Sequence, residues 1–438
     1  MSALQSPTFA VAPDGYSGTA TALPQRLLNV TLFVTMLLSS IAFIEPSPHD
    51  AMMFVLLAMC VAARVPFDRK LVPLLLLLIV WLIGGLMSLI QVGDEQKPIQ
   101  YDGTSIYLGI AALMFACLFC DGNLRRLAVL RRAYLLAALI AAAAGYIGYF
   151  HLLPGSSIFL DLADSGAETF TRVSATFKDP NVFGPFLIFP LLMLMITLLT
   201  GGIRLGAVAM TIALLGGLFL SFSRGAWLHF VISAAVCVLL LLAVTHDSRQ
   251  RTRIFALAIA AAIAVVLLLI AVLSIGSIHD MFLERAKAFQ PYDLGPGGRF
   301  WLQRLALGAI LENPNGMGPF EFGRVYGFQQ HNVYMEAFLV FGWLGGTTYF
   351  ALVMITLGVG FNGLRVPAPW RPYLIAAYAT FVGEAVEGMV VDTDHWRHFF
   401  LMLGLIWGLS AASINLRRLR VAARVADQDG LMTAMAPA

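Results

Sequence analysis

Charge is scarce in this chain. Only 12% of its 438 residues are Asp, Glu, Lys or Arg, against 59% hydrophobic. A soluble domain of this length cannot cover itself with so few charges, so that class is excluded. A net charge of +3, with no strongly basic block, excludes a nucleic-acid partner as well. Cysteine is nearly missing: Cys60, Cys117, Cys120 and Cys237 all lie within apolar runs. Cys117 and Cys120 make a C-x-x-C with no second pair and no nearby histidine, and they read as small packing residues. Residues 1–25 lack the charged start and apolar core of a secretory leader and read as a disordered cytoplasmic tail. Heptads, internal repeats and low-complexity runs are also lacking.

What is present is hydrocarbon-compatible sequence, at mean hydropathy +0.81. Apolar runs of crossing length predict an all-α polytopic membrane protein with about 12 transmembrane helices. The expected spans are roughly 27–44, 51–65, 71–90, 104–120, 133–153, 181–200, 205–222, 225–245, 254–275, 332–356, 372–391 and 397–414. With the N-terminus inside, the cytoplasmic segments hold Arg26, Arg64, Arg69, Lys70, Arg125, Arg126, Arg131, Arg132, Arg204, Arg249, Arg251, Arg253, Arg365, Arg371, Arg417, Arg418, Arg420 and Arg424. That is 18 of the 28 Lys and Arg, leaving 10 outside. Five of those 10 sit in one long loop, which the positive-inside rule allows. Both termini are therefore expected in the cytoplasm. The expected division is a tail over 1–25, a membrane domain over 26–416 and a basic cytoplasmic tail over 417–438. Outward loops cover about 154–180 and about 276–331.

The longer loop breaks the apolar pattern. It carries Arg299, Arg304 and Arg324, and it ends at His331, where the chain re-enters the membrane. Trp301, Leu302, Leu305, Ala306 and Ile310 recur at helical spacing up to Pro314-Asn315-Gly316 and predict an amphipathic surface helix. Arg172 and Lys178 precede the sixth expected span, and Arg224 stands in LSFSRGAW between the seventh and eighth. Arginine keeps its charge and matches phosphate oxygens with a planar fork. Any one such cation can also simply border the membrane. Arg224, flanked by apolar residues, is costly there without a partner and so is a functional candidate.

His331 opens HNVYMEAF, where Asn332 and Tyr334 accompany it. It reads either as an interfacial helix-start histidine or as a general base. Glu384 and Glu387 lie three apart, on one face of the eleventh expected span. They are expected to hold the outer arginines, to carry a proton in transport, or to ligate a cation. Asp392-Thr393-Asp394 is a D-x-D beside His395, Trp396, Arg397 and His398, and it reads as a solvated turn rather than a metal site.

These pieces resemble the O-antigen ligase and Wzy-type polysaccharide polymerase superfamily of bacterial inner membranes. The matching segments are Arg172-x-Ser174-x-x-Phe177-x-Asp179-Pro180-Asn181, Ser223-Arg224-Gly225-Ala226, Gly298-Arg299 with Leu305, and Asn313-Pro314-x-Gly316-x-Gly318. His331-Asn332-x-Tyr334 and Phe341-Gly342-x-x-Gly345 complete them, in family order, over about 170–350. The resemblance implies a GT-C-like fold and a glycosyltransferase that needs neither cofactor nor metal. Its donor would be a glycan on undecaprenyl diphosphate. Its acceptor would be a sugar hydroxyl of lipid A core or of another glycan, at the periplasmic face. His331 would be the catalytic base. Arg224 and Arg299, with Arg172 and Lys178, would bind the diphosphate, and Asn332, Tyr334, Glu384 and Glu387 would support them. Ligase and polymerase, serving lipopolysaccharide or exopolysaccharide synthesis, differ only in the acceptor. A transporter or flippase of lipid-linked oligosaccharide, proton-coupled through Glu384 and Glu387, is the alternative.

Overall fold

The structure is a computed structural model that describes residues 22–92, 96–164, 169–274 and 297–434, with Gly276, His279, Phe282 and Gly295 between the last two stretches. Each expected span falls on a helix. In chain order these are α1 (Ala22–Leu38), α2 (Pro48–Ala62), α3 (Val72–Val92), α4 (Gln96–Phe119) and α5 (Leu124–Tyr149). A broken pair comes next, α6 (Pro180–Phe186) and α7 (Ile188–Gly201), and then α8 (Leu205–Leu220), α9 (Arg224–Val244) and α10 (Ser248–Val272). After the long loop, with α11 (Arg299–Glu312) and α12 (Glu321–Tyr326), come α13 (Val333–Leu364), α14 (Arg371–Glu387) and α15 (Arg397–Ala434). Among the described residues, eight helices are long and apolar enough to cross a membrane. The chain is an all-α, multi-pass membrane protein.

Residues 1–21 of the expected tail lie outside the described residues, and α1 begins at Ala22. The expected basic tail continues as helix, since α15 runs on to Ala434. The first outward loop is more ordered than a plain connection. Leu160–Asp164 (β1) and Thr169–Val173 (β2) pair antiparallel there, with Asp161 opposite Arg172.

Small residues set how closely the helices approach. Gly404 and Gly408, four apart on α15, lie against α4. A Cβ on either would meet the carbonyl of Ala112 at 2.6 Å or of Ala116 at 2.5 Å. This is the packing used where lipid offers no hydrophobic drive between helices. Trp81 of α3 is fully buried against Phe341 of α13, their ring centroids 5.0 Å apart. By contrast α10 is almost wholly exposed and lies at the periphery.

At Gly342, α13 leaves helical geometry, with φ at 65° and ψ at −171°. A left-handed φ there favours glycine. The loop Asn313–Gly318 docks into the break. Trp343 N donates to Pro314 O at 2.8 Å, and Met317 N donates to Leu339 O at 2.6 Å. The backbone groups freed by the break are thus satisfied by a specific loop, as hydrocarbon surroundings require. The expected amphipathic helix is α11. Its apolar face, Leu302, Ala306 and Ala309, is buried in a cluster with Leu339 of α13.

Polar residues join the helix ends in two layers. At the outer end, Arg397 grips Asp50 with two bonds of 2.8 and 2.7 Å. At the inner end, Asn415 donates to Asp68 at 2.6 Å, and Arg126 donates to Gln25 at 3.3 Å. The ends that meet are ones that the expected alternation puts on the same side. With native cysteines replaced, Leu153→Cys and Phe328→Cys should react with an impermeant thiol reagent from outside, and Ser248→Cys and Arg418→Cys should not. Outside labelling of Ser248→Cys would invert the map.

Candidate active site

The polar segments fold by local capping rules. In Asp179-Pro180-Asn181 the aspartate caps α6, accepting from Asn181 N at 2.7 Å, and proline occupies the first helical turn. In Ser223-Arg224-Gly225-Ala226 the serine caps α9, accepting from Ala226 N at 3.3 Å. The two caps are joined. Asn181 Oδ1 accepts from Ser223 Oγ at 2.8 Å and from Arg172 Nη2 at 2.9 Å. Arg172 also donates through Nε to Ser221 O at 3.3 Å and lies 3.7 Å from Asp161. Arg172 thus ties the hairpin to the start of α9.

Arg224 is the first residue of α9 and Arg299 the first residue of α11. Each guanidinium stands at a helix N-terminus, where unpaired N–H groups and the helix dipole already favour an anion. Lys178 turns elsewhere. Its ammonium pairs with Glu45 at 2.8 Å, beyond the end of α1, and is half exposed. Arg324 pairs with Glu321 one turn away on α12.

The end of α14 draws these parts together. A helix leaves its last carbonyls without partners. Here Ala385 O accepts from Tyr334 Oη at 2.6 Å, Gly388 O from Val333 N at 2.8 Å and Met389 O from Asn332 Nδ2 at 3.0 Å. Gln303, one turn beyond Arg299 on the same face of α11, reaches Met389 O at 3.5 Å and Gln330 O at 3.3 Å. From the other side, Gly225 lies so close that a Cβ would meet Glu387 Oε1 at 2.7 Å. The segments that carry Arg224, Arg299 and His331 therefore converge on one helix end.

His331 itself is held in a left-handed conformation, φ 50°, just before α13. Asn332 caps that helix, accepting from Tyr334 N and Met335 N. The imidazole Nδ1 lies 3.1 Å from Asp392 Oδ2. A carboxylate accepts, so Nδ1 is the donor, and in the neutral form of the ring the lone pair is on Nε2. The ring is half exposed and accessible to a substrate.

Two expectations change here. Glu387 does not serve as an arginine partner. Its Oε2 lies 2.8 Å from His229 Nδ1, while His229 Nε2 lies 2.9 Å from the Thr380 carbonyl. A carbonyl only accepts, so Nε2 is protonated, and a single proton is shared between Nδ1 and the carboxyl. The pair is neutral overall wherever that proton sits, which suits a fully buried position. Glu384 Oε1 lies 3.3 Å from His398 Nε2, without hydrogen-bond geometry. His229, in the middle of an apolar run, carried no signal in the sequence.

The D-x-D turn is the second change. It is not solvated, since Thr393, Asp394, Trp396 and His398 are all buried. Asp392 turns to His331. Asp394 accepts from the Tyr101 hydroxyl and from His395 Nδ1 at 2.8 Å. The two carboxylates thus point to different partners. Among the described residues no group of three His, Cys, Asp or Glu is arranged to hold a metal ion.

Residues 209–350 match the profile of the O-antigen ligase family. The match covers about a third of the chain. The ligase stretch takes in Arg224, Arg299, His331, Asn332, Tyr334 and the Gly342 break. Arg172, Lys178, Glu384, Glu387 and Asp392 lie outside it. Arg172, Glu387 and Asp392, which contact the matched segments, therefore come from flanking parts of the chain. No match to a curated protein was found.

The Asp394–His395 pair gives a pH test of the turn. Burial raises the Asp394 carboxyl, but the adjacent His395 and the hydrogen bonds outweigh it and leave the group below its ordinary value. Burial likewise lowers His395, and Asp394 more than reverses this, leaving it raised. The depressed acid contributes stability above its ordinary 3.8, lost as pH falls through its folded value. The raised base contributes below its ordinary 6.5, lost as pH rises through its folded value. Asp394→Asn should therefore lower the thermal midpoint most between those values, and less on the alkaline side. Its cost should be about 1.5–3 kcal/mol, as for a hydrogen bond to a charged group. A pH-independent loss would show that the pair is not ionised.

Proposed function

We propose that this protein transfers or polymerises glycan from an undecaprenyl-diphosphate donor onto a sugar hydroxyl at the periplasmic face of the bacterial inner membrane. In this reading all twelve expected helices cross the membrane, in a GT-C-like arrangement, with residues 26–416 as the glycosyltransferase domain. The observation that carries the reading is the His331–Asp392 pair, set on the same helix end as the segments headed by Arg224 and Arg299.

The reaction needs two things from the protein. The acceptor oxygen attacks the anomeric carbon, its proton passes to His331 Nε2, and the bond from that carbon to the diphosphate oxygen breaks. The departing diphosphate takes the bonding electrons, and its charge must be stabilised. Arg224 and Arg299 do this as bidentate donors, aided by the N-termini of α9 and α11. Asp392 orients the imidazole, as a carboxylate does in a hydrolase triad. Asn332 and Tyr334 fasten the backbone that follows the base to the end of α14. Arg172 supports Arg224 by fixing the start of α9, whereas Lys178 is paired with Glu45. The acceptor is the lipid A core sugar of a ligase or the growing chain of a polymerase.

The transport alternative assigns proton coupling to Glu384 and Glu387. The bonds that His229 makes to Glu387 and to the Thr380 carbonyl support a different role, joining α9 to α14.

His331→Ala should lower turnover by about 10²- to 10⁴-fold, the usual contribution of a positioned base, with donor binding little changed. His331→Gln should be as poor. A glutamine variant at half the parent rate would end the general-base role. Asp392→Asn should cost about tenfold or more by favouring the wrong tautomer.

Arg224→Lys and Arg299→Lys should each lose most activity while still inserting, because lysine keeps charge but not the fork. Full activity in both would reduce them to membrane-border cations. Turnover should survive EDTA. Loss with EDTA and recovery with magnesium would give the diphosphate a metal partner instead.

A further inference from the structure

A cavity of about 130 Å³ runs inward from the outer end of the bundle, between α1, α2, α4, α5, α6 and α15. Arg224, Arg299 and His331 do not line it, so it is separate from the reacting centre. Its walls are largely aromatic: Phe115, Tyr134, Phe177, Phe186 and Trp396. Polar atoms interrupt them at a few points. Tyr134 is 1% exposed, and its hydroxyl has no hydrogen-bond partner among the described residues. His398 is 6% exposed, and its Nε2, though 3.3 Å from Glu384 Oε1, makes no hydrogen bond among the described residues. His49 Nδ1 lies 2.9 Å from the Thr35 carbonyl, so it carries the proton and leaves Nε2 as an acceptor. Buried polar atoms of this kind call for hydrogen-bonding partners.

The charges around the cavity decide what kind of ligand fits. Lys178 is paired with Glu45 at 2.8 Å. Arg397 is held by both oxygens of Asp50, which also accepts from Tyr107 at 3.0 Å. His395 is paired with Asp394. Each cation at the wall already has its anion, so no net positive field is left for a phosphate. A ligand here must be neutral, must both donate and accept, and must present an apolar face to aromatic rings. A pyranose has that chemistry, with C–H groups on its faces and hydroxyls around its edge. An aromatic wall with a few placed polar groups is the usual build of a small-ligand site.

We propose that this cavity is a binding subsite for one neutral sugar ring, apart from the site of transfer. The proposal takes its ligand class from the glycan-transfer reading. The ring belongs either to the donor chain or to the acceptor, and both present the same chemistry.

The full-length protein in detergent micelles would be tested by saturation-transfer NMR with the methyl glycosides of glucose, galactose, mannose and N-acetylglucosamine. At least one should receive saturation from the parent protein. Ser39→Leu and Val182→Trp, which fill the cavity from two walls, should abolish the signal. Tyr134→Phe, the mildest change, should weaken binding by about 2- to 12-fold, the worth of one neutral hydrogen bond. His331→Ala should bind as the parent does.

In turnover assays the filled variants should raise KM for one substrate only. A rise for the acceptor places the acceptor's ring in the cavity, and a rise for the donor places the donor's ring there. The proposal is overturned if no glycoside binds the parent, if binding survives in Tyr134→Phe and in both filled variants unchanged, or if glucose 1-phosphate binds more tightly than methyl glucoside. If His331→Ala retains full turnover while glycoside binding still maps to the cavity, the general-base reading falls and the sugar site stands.

Discussion

The carbonyls at and just beyond the end of α14 hold the candidate site together. A helix that ends inside a membrane protein has unsatisfied acceptors, and leaving them bare in hydrocarbon costs several kcal/mol each. Ala385, Gly388 and Met389 meet that demand with donors from Tyr334, Val333, Asn332 and Gln303. Those donors belong to the two segments that present His331 and Arg299. The third side is closed by His229, which bonds both Glu387 and the Thr380 carbonyl and so draws α9, with Arg224 at its head, onto α14. The placement of His331 and of the two arginines follows from these contacts around one helix end.

This arrangement divides labour along the chain. The stretch similar to the O-antigen ligase profile carries His331, Arg224 and Arg299, and its glycines permit the break in α13 and the approach of α9. The flanks supply the second layer: Arg172 and Asn181 at the start of α9, Asp392 behind His331, and Glu387 beneath Gly225. A base and a phosphate-binding fork act well only when their orientation is fixed beforehand, and fixing orientation needs neighbours from elsewhere in the fold.

How much of this was legible in the sequence depended on range. The helices were legible, because hydropathy and crossing length are properties of single segments. So were Asp179, Ser223 and Asn332 as parts of short motifs, and all three prove to be helix caps. The partners were not legible. Asp392 lies 61 residues from His331, and Glu387 lies 158 from His229. No spacing rule links residues so far apart on different helices. The turn at 392–398 looked solvated for the same reason, since its charges gave no sign that α2, α4 and α13 would bury them. The hairpin at 160–173 escaped because its strands are short and come after an irregular loop.

The break at Gly342 has a mechanical consequence. Membrane helices respond to a thicker or thinner bilayer by tilting. In α13 the long inner part, beyond Gly342, can adjust to such a change. The short outer part, which begins just after His331, is instead fastened to α11, α14 and the 313–318 loop. At the joint Gly342 leaves helical geometry, and Trp343 N donates to Pro314 O of the loop, so the two parts of α13 are not one rigid rod. The geometry around His331 is thereby insulated from the thickness of the membrane that surrounds it.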